Sequence, residues 1–180
     1  FNMTKTGKQK VGSNFFDLAI DFMSPTGTDF LSVLHHYAKQ TGVPLGKKSP
    51  PPDKKYVKKL AKDLTPDARK YLNHERGISD DTIQSLDLGW CKRRKRGSIP
   101  VYDKTNKLIN IRYHNSNKKP KTLNTSGYGN ATLYGANILS QAPEGSNVII
   151  TEGEYDSILV AQETGFVAVS PTNGCSAFLD

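Results

Sequence analysis

Three carboxylates lie within five residues of the chain, at Glu152, Glu154 and Asp156. They follow the β-branched apolar run 147–151, so they begin where a predicted strand ends. In open parallel sheets, ligands bind beyond the carboxyl ends of the strands. Like charges at this spacing repel one another, and a bound cation removes that repulsion. The pattern therefore indicates a cation site with Glu152 at the strand tip.

A helix N-terminus also attracts acidic side chains, because its free N–H groups and its dipole favour negative charge. This simpler interpretation explains Glu154 and Asp156, which fall at the start of a predicted helix. It explains Glu152 poorly, since Glu152 precedes the helix and Gly153 allows a sharp turn after it. Glu152 is therefore the main metal-binding candidate.

Basic residues are concentrated in the first two thirds of the chain. The net charge is +8 and the isoelectric point is about 9.4. All 25 Lys and Arg residues and 11 of the 17 acidic residues lie at or before Lys121, which gives that part a charge of +14 and the remainder −6. A basic body beside an acidic end is typical of a polyanion-binding module next to a cation site. Ordinary surface charge is the alternative.

The densest basic run covers residues 92–96. Such runs are often solvated loops or localisation signals. Here the run comes just before a predicted strand, which favours contact with nucleic acid. Lysine and arginine suit phosphate binding as a point charge and a planar fork. Trp90 and Tyr102 are candidate stacking surfaces for bases.

Composition excludes several classes. The two cysteines, Cys91 and Cys175, are too few for a disulfide framework or a structural zinc site, which favours a reducing cytoplasm. No apolar run of about 20 residues predicts a membrane span, and the polar, basic residues 1–11 do not form a signal peptide. The four histidines lack ligand spacing and are interpreted as packing or surface residues: His35, His36, His74 and His114.

The helices and strands around these residues are predicted from the spacing of apolar residues and from the prolines and turn residues between them. Helices are predicted over 14–23 and 28–40, and three consecutive prolines mark a linker at 46–55. Two short helices follow, at 65–75 and from Ser79 onwards. Short strands are predicted at 98–102, 108–113 and 121–123, with a hairpin turn at 103–106.

The last segment reads as strand, helix, strand over 147–151, 156–164 and 166–170. Both strands are apolar enough to be buried on both faces. Such a β-α-β unit has parallel strands and a right-handed crossover.

These motifs resemble a known family. Residues 148–156, followed by Ala161, Gly165 and Gly174, resemble the opening half of a Toprim domain, and most of all that of bacterial-type and phage DNA primases. The resemblance extends upstream over about residues 65–180 and keeps the order of the motifs. It is carried by Tyr71-Leu72, Arg76-Gly77-Ile78, Leu88-Gly89-Trp90, Arg96, Ile99-Pro100-Val101, Pro120-Lys121-Thr122-Leu123-Asn124 and Leu133-Tyr134-Gly135.

The resemblance implies an α+β basic subdomain followed by the start of an α/β Toprim domain with a parallel sheet. The domain plan is then a helical tail of a zinc-ribbon domain over 1–45, a linker over 46–55, the basic subdomain over 56–143, and the first half of the Toprim domain over 144–180.

The function implied is synthesis of RNA primers on single-stranded DNA from ribonucleoside triphosphates with Mg²⁺ or Mn²⁺. A replicative helicase is an expected partner, and the expected location is the cytoplasm of a bacterium or a phage-infected host. By the resemblance, Glu152 is the catalytic and metal-binding carboxylate and Asp156 the second acid. The nucleic-acid or nucleotide-binding candidates are Lys121, Arg96, Arg112, Arg94 and Asn124.

The sequence departs from the family at both ends. Residues 1–13 contain neither the zinc-ligating Cys nor His of the family's ribbon, so a truncated or degenerate ribbon is expected. The family's metal-binding Asp-x-Asp pair would lie beyond Asp180, so we expect the given chain to be incomplete and inactive alone. Two alternatives stay open: another Toprim enzyme such as a nuclease or topoisomerase, or a single-stranded DNA-binding accessory protein without catalysis.

Overall fold

The computed structural model of the chain describes residues 30–42, 50 and 52–174, and the chain divides into two units, residues 1–47 and 48–180. The described part of the first unit is helix α1 (Phe30–Thr41), close to the helix predicted over 28–40. The helix predicted over 14–23 and most of the predicted linker lie outside the described residues.

The described part of the second unit opens with a helix that the sequence analysis missed, α2 (Lys54–Lys62). Asp53 caps this helix by accepting a hydrogen bond from the Lys55 N–H, so the helix begins inside the predicted linker. Val57 and Leu60 are buried on one side, while its five lysines are exposed. Only two large apolar residues mark the buried face, which is why the helical pattern was hidden among lysines.

Two capped helical segments follow, as predicted. The first is α3 (Pro66–Lys70), which continues as a π-helical turn (Tyr71–Glu75), and the second is α4 (Asp80–Ser85). The hydroxyl oxygens of Thr65 and Ser79 cap them by accepting hydrogen bonds from backbone N–H groups at 3.2 Å. These caps satisfy N–H groups that have no partner within the helix.

The first sheet is antiparallel, with strands in the order β1-β2-β3-β4. Its last three strands agree with the prediction, and the turn between β2 and β3 is held by the Asp103 side chain, which accepts hydrogen bonds from the N–H groups of Thr105 and Lys107. The strands are β1 (Gly89–Cys91), β2 (Arg96–Tyr102), β3 (Leu108–His114) and β4 (Thr122–Leu123).

Helix α2 lies directly against β1. A Cβ at Gly89 would come within 2.3 Å of the Leu60 backbone, so only glycine allows this approach. Val57 and Leu60 thereby enter a core cluster with Cys91, Leu108, Ile111 and Tyr113 on that face of the sheet.

The second sheet has three strands in the order β5-β7-β6, from β5 (Leu133–Tyr134), β6 (Val148–Ile150) and β7 (Val167–Pro171). A short helix α5 (Ala136–Leu139) follows β5, and α6 (Glu154–Thr164) connects β6 to β7. Strands β6 and β7 are parallel, as the β-α-β pattern predicts. Strand β5 runs antiparallel to β7, so the described sheet is mixed rather than fully parallel.

The prediction that β6 is buried on both faces is wrong. Val148 is 42% exposed and Ile150 is 76% exposed. Within the described residues β6 is the edge strand of its sheet, and α6 covers only one face. An apolar run shows which side chains favour burial, but it does not show which element covers them. Strand β7, in the centre, is buried from Ala168 to Pro171 as predicted.

A second core cluster joins the two sheets: Ile99 and Val101 of β2 pack with Tyr155 and Ile158 of α6. Cross-strand partners share one face of a sheet. Because Arg112 pairs with Ile99, and His114 with Gly97, both polar residues of β3 lie on the face that meets α6. None of the described helices is long and apolar enough to cross a bilayer.

Candidate functional site

The acidic segment sits at the end of β6 and is fixed to its sheet. The Thr151 N–H donates to the Val169 carbonyl at 2.9 Å, and the Thr151 and Ser157 hydroxyls are hydrogen bonded at 2.7 Å. Gly153 is the extended residue before α6. Glu152 and Asp156 are exposed, and neither forms an ion pair with a described residue. They therefore remain available to a ligand.

Glu154, between them, is buried in an ion pair. Its Oε1 accepts a hydrogen bond from Arg112 Nε at 2.7 Å, and the two side chains are only 9–10% exposed. Arg112 also donates from its Nη1 to the Asn124 Oδ1 at 2.9 Å, and Asn124 accepts a second bond from Asn110 at 2.8 Å. The pair thus connects α6 to the centre of the first sheet.

A cleft of about 270 Å³ lies in front of the exposed carboxylates. Glu152, Glu154 and Asp156 line it together with Arg76, Arg112, His114 and Thr122. The predicted site residues Glu152, Asp156 and Arg112 are therefore brought together. The acidic segment opens towards the basic part of the molecule, as a cation and phosphate site requires.

Sequence reasoning gave no role to two residues of this cleft. His114 was interpreted as a packing or surface residue, yet it is half-buried in the cleft with its ring 5.1 Å from that of Tyr155. Arg76 was noted only as part of a motif, and its guanidinium lies over the rings of Tyr71 and Tyr155. The alternation of β3, which puts His114 on the same face as Arg112, was the available signal.

The electrostatics at His114 are strongly positive. Burial, the largest cause, and four nearby cations together lower the pKa of His114 to about 4: Arg76, Arg96, Lys121 and Arg112. His114 is therefore neutral at physiological pH. The same field favours an anion bound in the cleft.

Two of the predicted basic residues, Arg94 and Lys121, lie in two hydrogen-bonded loops, residues 92–95 and 115–121, which we call the basic loops. Lys118 Nζ donates to the Arg94 carbonyl at 3.2 Å, and Asn115 Nδ2 donates to the Lys95 carbonyl at 2.8 Å. Lys121 is exposed. The basic loops thus present cationic side chains on a connected backbone framework.

Arg96 is buried beneath the basic loops. Its guanidinium donates to the carbonyls of Lys121 and Pro120 at 2.6 and 2.8 Å. The Arg94 guanidinium stacks 4.5 Å from the centre of the Tyr113 ring and is half-buried. Arg96, Arg112 and Asn124 are bound to protein groups here, so their direct contact with nucleic acid stays a prediction.

The described residues contain no cluster of three or more His, Cys, Asp or Glu side chains that could hold a metal ion. Glu152 and Asp156 supply two carboxylates, and Mg²⁺ is commonly held in proteins by one or two carboxylates together with water and substrate phosphates. The donors present are compatible with a magnesium ion that shares its coordination with a phosphate ligand.

Solved structures with a similar fold are primase catalytic cores. The DnaG catalytic domain bound to single-stranded DNA matches with 21% identity and a TM-score of 0.53, over 64% of this chain and 52% of that one. The zinc-binding and RNA polymerase domains of Aquifex aeolicus primase match with 18% identity and a TM-score of 0.52, over 81% and 48%. The RNA polymerase domain of Mycobacterium tuberculosis DnaG, in complex with a double-stranded DNA oligomer carrying an overhang, matches with 13% identity and a TM-score of 0.57, over 67% and 52%.

The chain shares the fold of primase catalytic cores. It spans about half the length of these structures. No protein-family model and no curated protein matches it. The likeness to primases is therefore established for the fold.

The Arg112–Glu154 pair predicts a large loss of stability when one partner is removed. Glu154→Leu leaves the buried guanidinium without its counter-ion, which typically costs about 3–5 kcal/mol of unfolding free energy. The double variant Arg112→Met/Glu154→Leu should recover a large part of that loss. Urea unfolding of the unaltered chain and of these two variants measures the unfolding free energies. Arg69→Ala, which breaks the exposed pair with Asp80, is the control, and an equal loss in it would contradict this account.

The low pKa of His114 predicts a stability change in acid. His114 binds a proton near pH 6.5 in the unfolded chain and only near pH 4 in the folded chain. Protonation therefore favours unfolding, so the stability present above pH 6.5 is lost as the pH falls towards 4. Unfolding free energies at pH 7.5 and pH 5 should differ less in His114→Gln than in the unaltered chain. His74→Gln, at an exposed histidine, is the control and should keep the full difference.

Proposed function

We propose that the chain is the front part of a DNA primase core, in which residues 144–174 open a Toprim domain and residues 56–143 form the basic subdomain. The observation that supports this most strongly is the cleft, where Glu152 and Asp156 stand at the end of a parallel strand and face Arg76, Arg112 and His114. The shared fold supports the same proposal independently of these side chains.

The proposed reaction joins two ribonucleotides on a single-stranded DNA template. The 3′-hydroxyl of one attacks the α-phosphate of a nucleoside triphosphate. A bond forms between the 3′-oxygen and that phosphorus, the bond to the β-phosphate bridging oxygen breaks, and pyrophosphate leaves. The hydroxyl proton must be removed, and the charge of the triphosphate must be neutralised.

Glu152, with Asp156 beside it, would hold magnesium. A Cβ on Gly153 would lie 3.3 Å from Asp156 Oδ2, so this carboxylate is held close to the turn after Glu152. Bound Mg²⁺ supplies charge neutralisation and makes the hydroxyl easier to deprotonate. We assign Glu152 to metal binding rather than to the role of general base, and Asp156 to orienting the site.

Cationic side chains of the cleft complement the anionic substrate. Arg76 lines the cleft and its guanidinium is held by the Tyr71 hydroxyl, which accepts a bond from Nε at 2.8 Å. Arg112 is held by Glu154, so Glu154 acts as a positioning residue. Preorganised cations of this kind stabilise phosphoryl charge without reorganising during the reaction.

The template would run over the basic loops, with Lys121 and Arg94 near its phosphates and Arg96 bracing the loop that carries Lys121. A replicative helicase partner, ribonucleotide substrates and a phage or mobile-element source are further parts of the proposal. They rest on the sequence resemblance.

A second candidate is single-stranded DNA binding without catalysis. The basic loops are fully formed in the described structure, whereas the free carboxylates of the cleft number only two, Glu152 and Asp156. Incorporation of labelled ribonucleotides on a single-stranded template separates the two candidates, because a binding module gives none even in the complete gene product.

DNA binding should depend steeply on salt, since phosphate contacts release counterions. Lys121→Ala should weaken binding of a fluorescent single-stranded oligonucleotide and reduce the slope of log K against log salt by about 1. Fluorescence anisotropy at salt concentrations between about 50 and 200 mM measures this slope. Lys104→Ala, in the turn before β3, is the control and should leave the slope unchanged. Binding that ignores salt would refute the phosphate-contact proposal.

Primer synthesis should require the Glu152 carboxylate. In the complete gene product, Glu152→Gln keeps the size and polarity of the side chain but removes its charge, so we expect synthesis to fall by at least about 100-fold while oligonucleotide affinity changes little. Labelled nucleotide incorporation with and without Mg²⁺ is the measurement. Glu163→Gln, at the exposed end of α6, is the matched control. Full activity of Glu152→Gln would exclude Glu152 from the site.

A further inference from the structure

A cavity with a largely apolar lining lies beside the cleft, between the π-helical turn and the basic loops. It has a volume of about 570 Å³, within the range of ligand pockets. Its walls carry four aromatic rings, those of Tyr71, Trp90, His114 and Tyr155. We call it the aromatic pocket.

The aromatic pocket borders the hydrophobic core, to which Leu72 and Tyr155 of its wall belong. Trp90 belongs to neither core cluster and is only half-buried, although tryptophan is the largest apolar side chain. A half-buried ring in an open pocket leaves apolar surface in water, where it gains nothing for folding. Such a surface is commonly a binding site.

The rim of the aromatic pocket is mainly cationic. Lys92 and Lys95 of the first basic loop line it, with one acid, Asp67 of α3. Lys92 is paired with Asp63 at 2.7 Å, and Lys95 forms no ion pair with a described residue. Aromatic faces below a cationic rim are the combination that binds single-stranded nucleic acid, because bases stack and phosphates pair with lysine.

The aromatic pocket and the cleft share a wall. His114 and Tyr155 line both cavities, and the Arg76 guanidinium lies over the Tyr155 ring at that wall. The Tyr155 hydroxyl lies close to Gly97, where a Cβ would come within 2.9 Å of it. A base in the aromatic pocket is therefore next to the carboxylate site.

We propose that the aromatic pocket holds one unpaired base of the nucleic-acid strand bound by the basic loops, stacked on Trp90. This proposal rests on the proposed function and adds a defined site for a base. Tyr102, the other stacking candidate, lines a different cavity with Lys54 over its ring at 5.9 Å. Trp90 is the one of the two that adjoins the cleft.

Charge argues for a strand rather than an apolar partner. A buried peptide side chain or a lipid tail would use the rings but would leave Lys95 of the rim without a counterpart. A strand uses both, since each base is attached to a phosphate. His114 is neutral at physiological pH. Its flat ring therefore carries no positive charge that would repel the partial positive charge at the edge of a base.

The chain contains one tryptophan, so its fluorescence reports on the aromatic pocket alone. A single-stranded oligothymidylate and an abasic oligomer of the same length carry equal charge, but only the first has bases. We expect the oligothymidylate to quench Trp90 and the abasic oligomer to leave it unchanged. Fluorescence anisotropy of labelled versions of both should show that each binds at low salt.

Two variants test the same pocket. Trp90→Leu should weaken oligothymidylate binding in the anisotropy assay by about 5- to 100-fold, the range for loss of one stacking partner, while abasic binding is unchanged. Trp90→Phe keeps an aromatic ring and should give a smaller loss. Phe166→Leu, at an exposed aromatic of the second sheet, is the control and should change neither. Circular dichroism checks that all variants fold.

The outcomes separate this inference from the proposed function. Binding of both oligomers by anisotropy without quenching of Trp90 overturns the base site and leaves the phosphate-contact proposal standing. Equal weakening of abasic and thymidylate binding in Trp90→Leu also overturns it. If free thymidine triphosphate quenches Trp90 as strongly as oligothymidylate does at the same concentration of bases, the pocket binds a mononucleotide and the strand proposal is overturned. No binding of either oligomer at low salt overturns both proposals.

Discussion

The buried ion pair between Arg112 and Glu154 is the contact on which the arrangement of the site depends. Burying two charges is costly unless each is paired and hydrogen bonded, and here the guanidinium is shared between Glu154 and Asn124. The pair joins the first turn of α6 to the middle of β3. Because Glu152 and Asp156 flank Glu154 on the same segment, fixing Glu154 also fixes the direction in which its neighbours point.

The same contact divides the three acids by role. Glu154 uses its charge within the protein, and its neighbours keep theirs for a ligand. In the same cleft, Arg76 and Arg112 are held by tyrosine and glutamate, so the cationic wall is formed before any anion arrives. Tyr155, which lines the same cleft, packs closely against Gly97 of β2. A site made in this way needs little rearrangement to accept a phosphate beside a cation.

Local structure followed closely from the sequence where caps, turns and alternation agreed. The helices at Thr65 and Ser79, the turn at Asp103 and the parallel pair β6–β7 are all present as expected. The sequence analysis missed helix α2, since its lysines conceal a narrow apolar stripe. It was wrong on the burial of β6, because coverage of a strand depends on elements distant in the chain.

For the site, the residue types and their spacing determined that Glu152 is a free acid at a strand end and that the chain has a basic body before an acidic end. Only the tertiary structure decided which charges face each other. Arg112 and Arg96 are chemically equal to exposed arginines in the sequence, yet both are buried and bound to protein groups. His114 and Arg76 enter the cleft because strand register and helix packing bring together residues 38 positions apart. Long-range proximity of this kind leaves no mark in the local pattern of either segment, so the sequence alone could not place them.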